Sequence, residues 1–187
     1  MSLSRLLFVL LLLVGSWSGY YLYDKNSQPE KQIAPDKELP IFTGGNLTNT
    51  SFNESGIRNY RVYSTHLEYF SQSGETHFYQ PVFTIYREGE TEEWRITSNQ
   101  ATLSKKNELL MEGDVVVHNL LPDATFTTMK TESLQLELIT KDFMTEEDVF
   151  LVGPMFETMG HAMKGNFDSH NAELYNSVQG RYEAPKN

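Results

Sequence analysis

Four short segments with the same alternation of polar and apolar side chains recur along the chain. They are His66-Leu67-Glu68-Tyr69, Gln100-Ala101-Thr102-Leu103, Ser133-Leu134-Gln135-Leu136 and Asn171-Ala172-Glu173-Leu174. Their second residues lie 34, 33 and 38 positions apart, and a second apolar run follows the first three at Val82, Val115 and Val149. Alternation at period two places apolar side chains on one face of a sheet. Each unit therefore reads as two strands joined by a polar turn. A single unit cannot bury its apolar face alone, so the units must stack. The repeat predicts an elongated all-β structure with a continuous apolar interior. An ordinary β-sandwich also spaces its strands regularly, and periodicity alone leaves both architectures open.

From Ile41 onward, apolar-alternating runs are separated by turn signals at Gly44-Gly45, Ser55-Gly56, Ser73-Gly74, Glu88-Gly89, Lys106-Asn107, Pro122-Asp123, Gly153-Pro154 and Gly160. That punctuation predicts about twelve to fifteen strands and no long helix. Gly113 and Gly153 interrupt apolar runs, where glycine marks a bulge or a close backbone approach. Met155, Met159 and Met163, with Phe156, form a group suited either to an adaptable apolar ligand surface or to core filling.

Residues 6–23 contain no charge, while Arg5 precedes them and Asp24 and Lys25 follow. As a helix this stretch spans about 27 Å, close to the hydrocarbon thickness of a bilayer. The cation before it sets the N-terminus, residues 1–5, on the inner side. Trp17, Tyr20, Tyr21 and Tyr23 collect at the far end, as interfacial rings do. Gly15 and Gly19 are four apart and permit a close helix–helix contact in lipid. The rival reading is a cleaved signal peptide, with Leu6–Val14 as its apolar region and Ser16 and Ser18 before the cleavage site. Residues 24–40 hold three prolines and seven charges and read as an exposed linker. The domain proper is then 41–187.

The formal net charge is −10, and the first 23 residues contribute only Arg5. Such a surface repels polyanions, so nucleic acid is disfavoured as a partner. An anionic lipid must then bind through its acyl chains, with its phosphates in water or at a local basic spot. There is no cysteine, which excludes disulfides, thiolate metal sites and a lipidated-cysteine anchor. The histidines, His66, His77, His118, His161 and His170, never fall two or four apart, so no zinc helix is formed. No phosphate-binding glycine loop or nucleophile elbow is present. The expectation is a protein without enzymatic activity, cofactor or metal.

Taken together, the chain resembles the LptC family of the bacterial lipopolysaccharide export machine. The resemblance spans essentially the whole chain. It rests on the short tail and single membrane helix, and on the order of several segments: Tyr60-Arg61, His66 to Tyr69, Phe78-Tyr79-Gln80-Pro81-Val82, Trp94, Pro122-Asp123, Val152-Gly153, Met163-Lys164-Gly165-Asn166 and Asn171 to Leu174. It implies a periplasmic antiparallel β-jellyroll, a V-shaped open-ended groove behind one inner-membrane helix. It also implies that lipopolysaccharide is received from an ABC transporter of LptB, LptF and LptG and passed to soluble LptA through edge-to-edge sheet contacts. By the same resemblance Phe78, Ala172 and Tyr182 face the lipid. Gly153 matches a strand glycine near the edge meeting the soluble partner, and Gly56 one near the membrane-proximal edge. Strand alternation adds Val82, Trp94, Ile96, Ala101, Leu103, Leu134, Leu136, Met163 and Leu174 to the groove face. A one-residue slip in register would turn any of these outward.

Two other functions compete. A structural adaptor that regulates a transporter without touching lipid needs only a filled core. A membrane-anchored hydrolase or lectin needs paired carboxylates in a cleft, and no such pair has a recognisable context. The anchor itself is testable. Intact mass of the membrane-extracted protein should retain residues 6–23; a mature chain starting near Gly19 or Tyr20 would establish cleavage instead.

Overall fold

Short turns between alternating segments favour antiparallel pairing of each strand with the one that follows the turn. In the computed structural model, which describes residues 13–21, 38–122, 124 and 126–182, this produces one long meander. The strands are β1 (Phe42–Phe52), β2 (Arg58–Tyr69), β3 (Thr76–Tyr79), β4 (Val82–Arg87), β5 (Thr91–Thr97), β6 (Gln100–Leu103), β7 (Glu108–Asn119), β8 (Thr128–Glu137), β9 (Asp142–Val152), β10 (Phe156–Asn166), β11 (Asn171–Leu174) and β12 (Gln179–Tyr182). All twelve belong to one antiparallel sheet. The fold is a β-jellyroll. The chain divides into two units at Glu38/Leu39, and the second holds every strand.

Near its middle, each strand from β2 onward changes partner, breaks or bulges. β2 passes from β4 to β3 after Tyr63. β3 and β4 are one strand interrupted at Gln80-Pro81, and β5 and β6 one strand interrupted at Ser98-Asn99. The register shifts between Glu112 and Val115 in β7, between Lys130 and Gln135 in β8, and between His161 and Met163 in β10. Gln80, Gly113, Asp114, Ala162, Asn176 and Ser177 all have positive φ. Neighbouring breaks are bonded to each other: Gln80 N–H donates to Asn99 O, and Asn99 N–H to Gly113 O. Together they form a crease that folds the sheet on itself.

Backbone groups freed at a break must find partners. Buried hydroxyls supply several of them. Ser64 Oγ donates to His66 O, Ser98 Oγ to Gln100 O at 2.7 Å, and Thr131 Oγ1 to Ser133 O. Thr131 and Thr145 share a hydrogen bond at 3.2 Å. Ser64, Ser98 and Thr131 each stand three residues before the apolar residue that opens a repeated segment, Leu67, Ala101 or Leu134. The sequence repeat is therefore the repeat of the crease.

The folded sheet encloses one apolar core. Phe83, Ile85, Trp94, Ile96, Val115, Val117, Met129, Val149 and Leu151 come from one side of the crease. Phe78, Ala101, Leu109, Met111, Leu134, Leu136, Phe143 and Met163 come from the other. The Phe78 and Phe83 rings meet edge-on at 5.8 Å, and Phe143 stacks on Phe167 at 4.4 Å.

Several sequence expectations are corrected. Gly44-Gly45 lies inside β1 and Gly160 inside β10, so neither marks a turn. The methionine group is split by the bulge at Ala162: Met163 is in the core, while Met155 and Met159 are exposed. Val82 is turned away from the interior. The break at Gln80-Pro81 inserts a phase change, so β4 presents Phe83 and Ile85 to the core. Gly113, by contrast, is the bulge glycine of β7, with φ near +75°. A Cβ there would stand 2.7 Å from Asn99 Nδ2. Gly113→Ala should therefore cost more than about 1 kcal/mol of stability. A thermal melt checks this, and an unchanged melting temperature would show that the crease tolerates ordinary backbone at this position.

Candidate functional site

The interior is filled along most of its length but opens beside β11 and the β7–β8 connection. There a cavity of about 570 Å³ is lined by Trp94 of β5, Leu121, Pro122 and Phe126 of the β7–β8 connection, Leu151 of β9, Phe156 and Met163 of β10, and Ala172 and Leu174 of β11. Its polar lining is Arg87, Asn119 and His170. The apolar wall is built rather than incidental. Trp94 is ringed by Phe126 at 5.6 Å and Phe167 at 4.9 Å, and its indole N–H donates to Phe167 O at 3.1 Å. That bond ties the β10–β11 turn to β5 across the mouth.

The polar end depends on a bulge. Between Ile85 and Tyr86 the pairing with β5 skips Glu93, and a bulge re-aims the extra side chain. Glu93 and Trp94, although consecutive, are both buried. The Glu93 carboxylate, only 5% exposed, accepts from Arg87 Nη2 and lies against His170 Nε2, both at 2.5 Å. A buried charge requires such partners. The turn carrying His170 is fixed further by Lys141, whose ammonium meets Asp168 at 2.8 Å. The hydrogen bond and charge of Lys141 hold the Asp168 carboxyl below the usual aspartate value. Hydrogen bonds from Asn166 and Thr140 lower Asp142 likewise.

A larger hollow of about 660 Å³ lies among Glu108, Gln135, Glu137, Met144, Lys164, Asn171 and Glu173. Four acidic side chains, counting Asp142, line it beside Phe143, Tyr175 and Ala172, which also borders the first cavity, so its wall is mixed.

The residues expected to face a ligand separate into groups. Trp94, Met163, Ala172 and Leu174 meet at the open cavity. Phe78, Ile96, Ala101, Leu134 and Leu136 are sealed in the core, and Leu103 packs against it. Val82 faces the other way. Tyr182 is 73% exposed on β12 and pairs with Phe156. Gly56 sits in the turn after β1 with φ near +75° and open space around it. Gly153 lies in the β9–β10 turn rather than within a strand, because Pro154 ends β9. Gly15 and Gly19 lie in the helix 13–21, with nothing within 4 Å of a Cβ at either. No described helix is long and apolar enough to cross a membrane, and residues 6–12, 22 and 23 of the expected span lie outside the described ones. Sequence reasoning passed over Arg87, Glu93, His170 and Leu121. Only the Pro122 turn signal and the noted Phe156 pointed near them.

A folded antiparallel sheet with an amphipathic cavity bordered by an edge strand defines a ligand-binding class of β-jellyroll. Comparison with known proteins is specific. The family described as "Lipopolysaccharide-assembly, LptC-related" matches residues 8–183, and the chain belongs to the LptC family. It is 31% identical to the lipopolysaccharide export system protein LptC of Escherichia coli K12, over 81% of this chain and 80% of that one. It is 27% identical to LptC of Haemophilus influenzae, over 89% and 88%. Among solved structures it is similar in fold to LptH, the LptA-homologous periplasmic component of the lipopolysaccharide transport device of Pseudomonas aeruginosa. The TM-score is 0.52 at 10% identity, covering 67% of this chain and 95% of LptH.

A Cβ on Gly153 would lie 2.2 Å from the Phe156 ring, so any side chain displaces a wall of the cavity. Gly153→Ala and Gly153→Arg should thus weaken together the binding of the soluble jellyroll partner that the sequence resemblance implies, measured by co-purification beside a thermal melt. If only the arginine variant weakens it, obstruction by the long cation is the cause instead.

Proposed function

We propose that this chain binds lipopolysaccharide by its acyl chains and relays it from an inner-membrane ABC transporter to a soluble periplasmic jellyroll. The observation that carries the reading is the largely apolar cavity of about 570 Å³ bordered by the edge strand β11. Family membership supports a role in lipopolysaccharide transport. Each acyl CH₂ kept from water contributes about 0.8 kcal/mol, so a transfer path must offer continuous apolar surface. The two open edges, β1 and the β11–β12 pair, offer unpaired backbone groups for strand addition. On this reading the Gly56 end of β1 meets the transporter built from LptB, LptF and LptG, and the β12 edge meets LptA. Residues 6–23 anchor the chain in the inner membrane, with the β domain in the periplasm. The protein acts by binding alone, without catalysis or a cofactor.

Acyl chains enter first at Trp94, Met163, Ala172 and Leu174. They reach Phe78, Ala101 and Leu134 only when the two sides of the crease part. A photoreactive residue at Ala172 should therefore capture lipopolysaccharide in intact envelopes, dependent on ATP. One at Glu173, which faces away and pairs with Lys164 at 3.1 Å, should not. The sealed core favours a second reading, a structural adaptor that never touches lipid. It predicts no adduct at any of these positions. Equal labelling at Ala172 and Glu173 would remove the groove reading.

A further inference from the structure

The apolar cavity has one polar end, and its construction exceeds what a hydrocarbon ligand needs. Arg87 Nη2 and His170 Nε2 converge on Glu93 Oε1 and stand 3.0 Å apart, a triangle in which Glu93 is the common acceptor, because Nε2 cannot both donate to Glu93 and accept from Arg87. Glu93 is buried, whereas the side chains of Arg87 and His170 are 44% and 42% exposed and both line the cavity. Only Nη2 of Arg87 is engaged in this triangle. Its Nη1 and Nε N–H groups have no partner among the described residues.

We propose that Arg87 recognises a phosphate of the amphiphile whose acyl chains occupy the cavity, with Glu93 and His170 as the residues that position it. This rests on the reading of the cavity as an acyl-chain site. A guanidinium presents a planar fork of donors that matches phosphate oxygens. Fixing that fork beforehand removes much of the ordering cost of binding. Glu93 does the fixing from the buried side. His170, held across the mouth by the β10–β11 turn, shares the same carboxylate oxygen, so Glu93 does not claim the remaining N–H groups of Arg87. The site also answers a difficulty of charge. A chain at −10 repels a phosphorylated ligand, and at this rim Arg87 cancels the one buried carboxylate. A neutral rim with unpaired donors accepts an anion that the rest of the surface opposes.

The experiment compares lipopolysaccharide with the same preparation after its phosphates are removed, each binding to the full-length protein in detergent. Removing Arg87 alone leaves the buried Glu93 charge without its guanidinium partner, so the variant tested is Arg87→Gln with Glu93→Gln, which keeps the rim neutral. A thermal melt establishes that it folds. Wild type should prefer the phosphorylated ligand by about tenfold or more. The double variant should lose that preference while binding the dephosphorylated ligand as wild type does. Arg87→Lys should restore part of the preference. A double variant that keeps the full preference, or that loses both ligands equally, overturns the proposal and makes the triangle a purely structural tie. If wild type binds neither ligand, the acyl-chain reading fails first and the phosphate site falls with it.

Discussion

The structure depends on the crease. A flat meander of this length would leave its apolar face in water, and among the described residues of 39–187 no helix or second sheet covers it. The sheet must cover itself, and it can do so only if each strand turns sharply near its middle. Such a turn exposes backbone donors and acceptors inside the protein, where each unpaired group is costly. Ser64, Ser98, Thr131 and Thr145 meet that demand from within, and all four are buried. Among the described residues no buried side-chain polar atom lacks a partner. The hydroxyls are thus as necessary to the interior as Phe83 or Leu134, although they add little apolar area.

The fold was legible in the sequence because the crease recurs. Leu67, Ala101 and Leu134 follow it at fixed distance, and their periodicity was visible without knowing its cause. Gly113 was legible as a bulge for the same reason: glycine inside an apolar run has few other uses. What failed was the phase. Alternation carries a side-chain direction along a strand until a backbone irregularity resets it. Gln80 takes a positive φ, a conformation its residue type does not announce, and Val82 was accordingly placed on the wrong face. Gly44-Gly45 misled in the opposite sense, since an edge strand tolerates glycines that a central strand would not.

The candidate site was half legible. Trp94, Met163 and Leu174 are apolar residues at inward phase, so alternation finds them. Arg87, Glu93 and His170 are ordinary charged residues in sequence terms. Glu93 turns inward only because β4 and β5 differ by one residue in pairing, which is a property of two strands together. His170 reaches it across 77 residues of chain. No local pattern encodes either relation.

Packing sets the remaining problem of mechanism. Phe78, Ala101, Leu134 and Leu136 interlock across the fold, and a close-packed interior does not admit an acyl chain without separation of its walls. The crease confines that separation to the free margins, because the chain itself runs through it from one side to the other. Of the two margins, the β11–β12 side is the weaker. Its strands are four residues long and pair only with β10, and the cavity already lies behind them. Trp94, bonded to Phe167 O, and Glu93, bonded to His170, are the ties that hold this margin to β5. On the acyl-chain reading, opening begins at the β10–β11 turn, and a ligand held by the remaining N–H groups of Arg87 leaves the bonds of Glu93 to Arg87 and His170 in place.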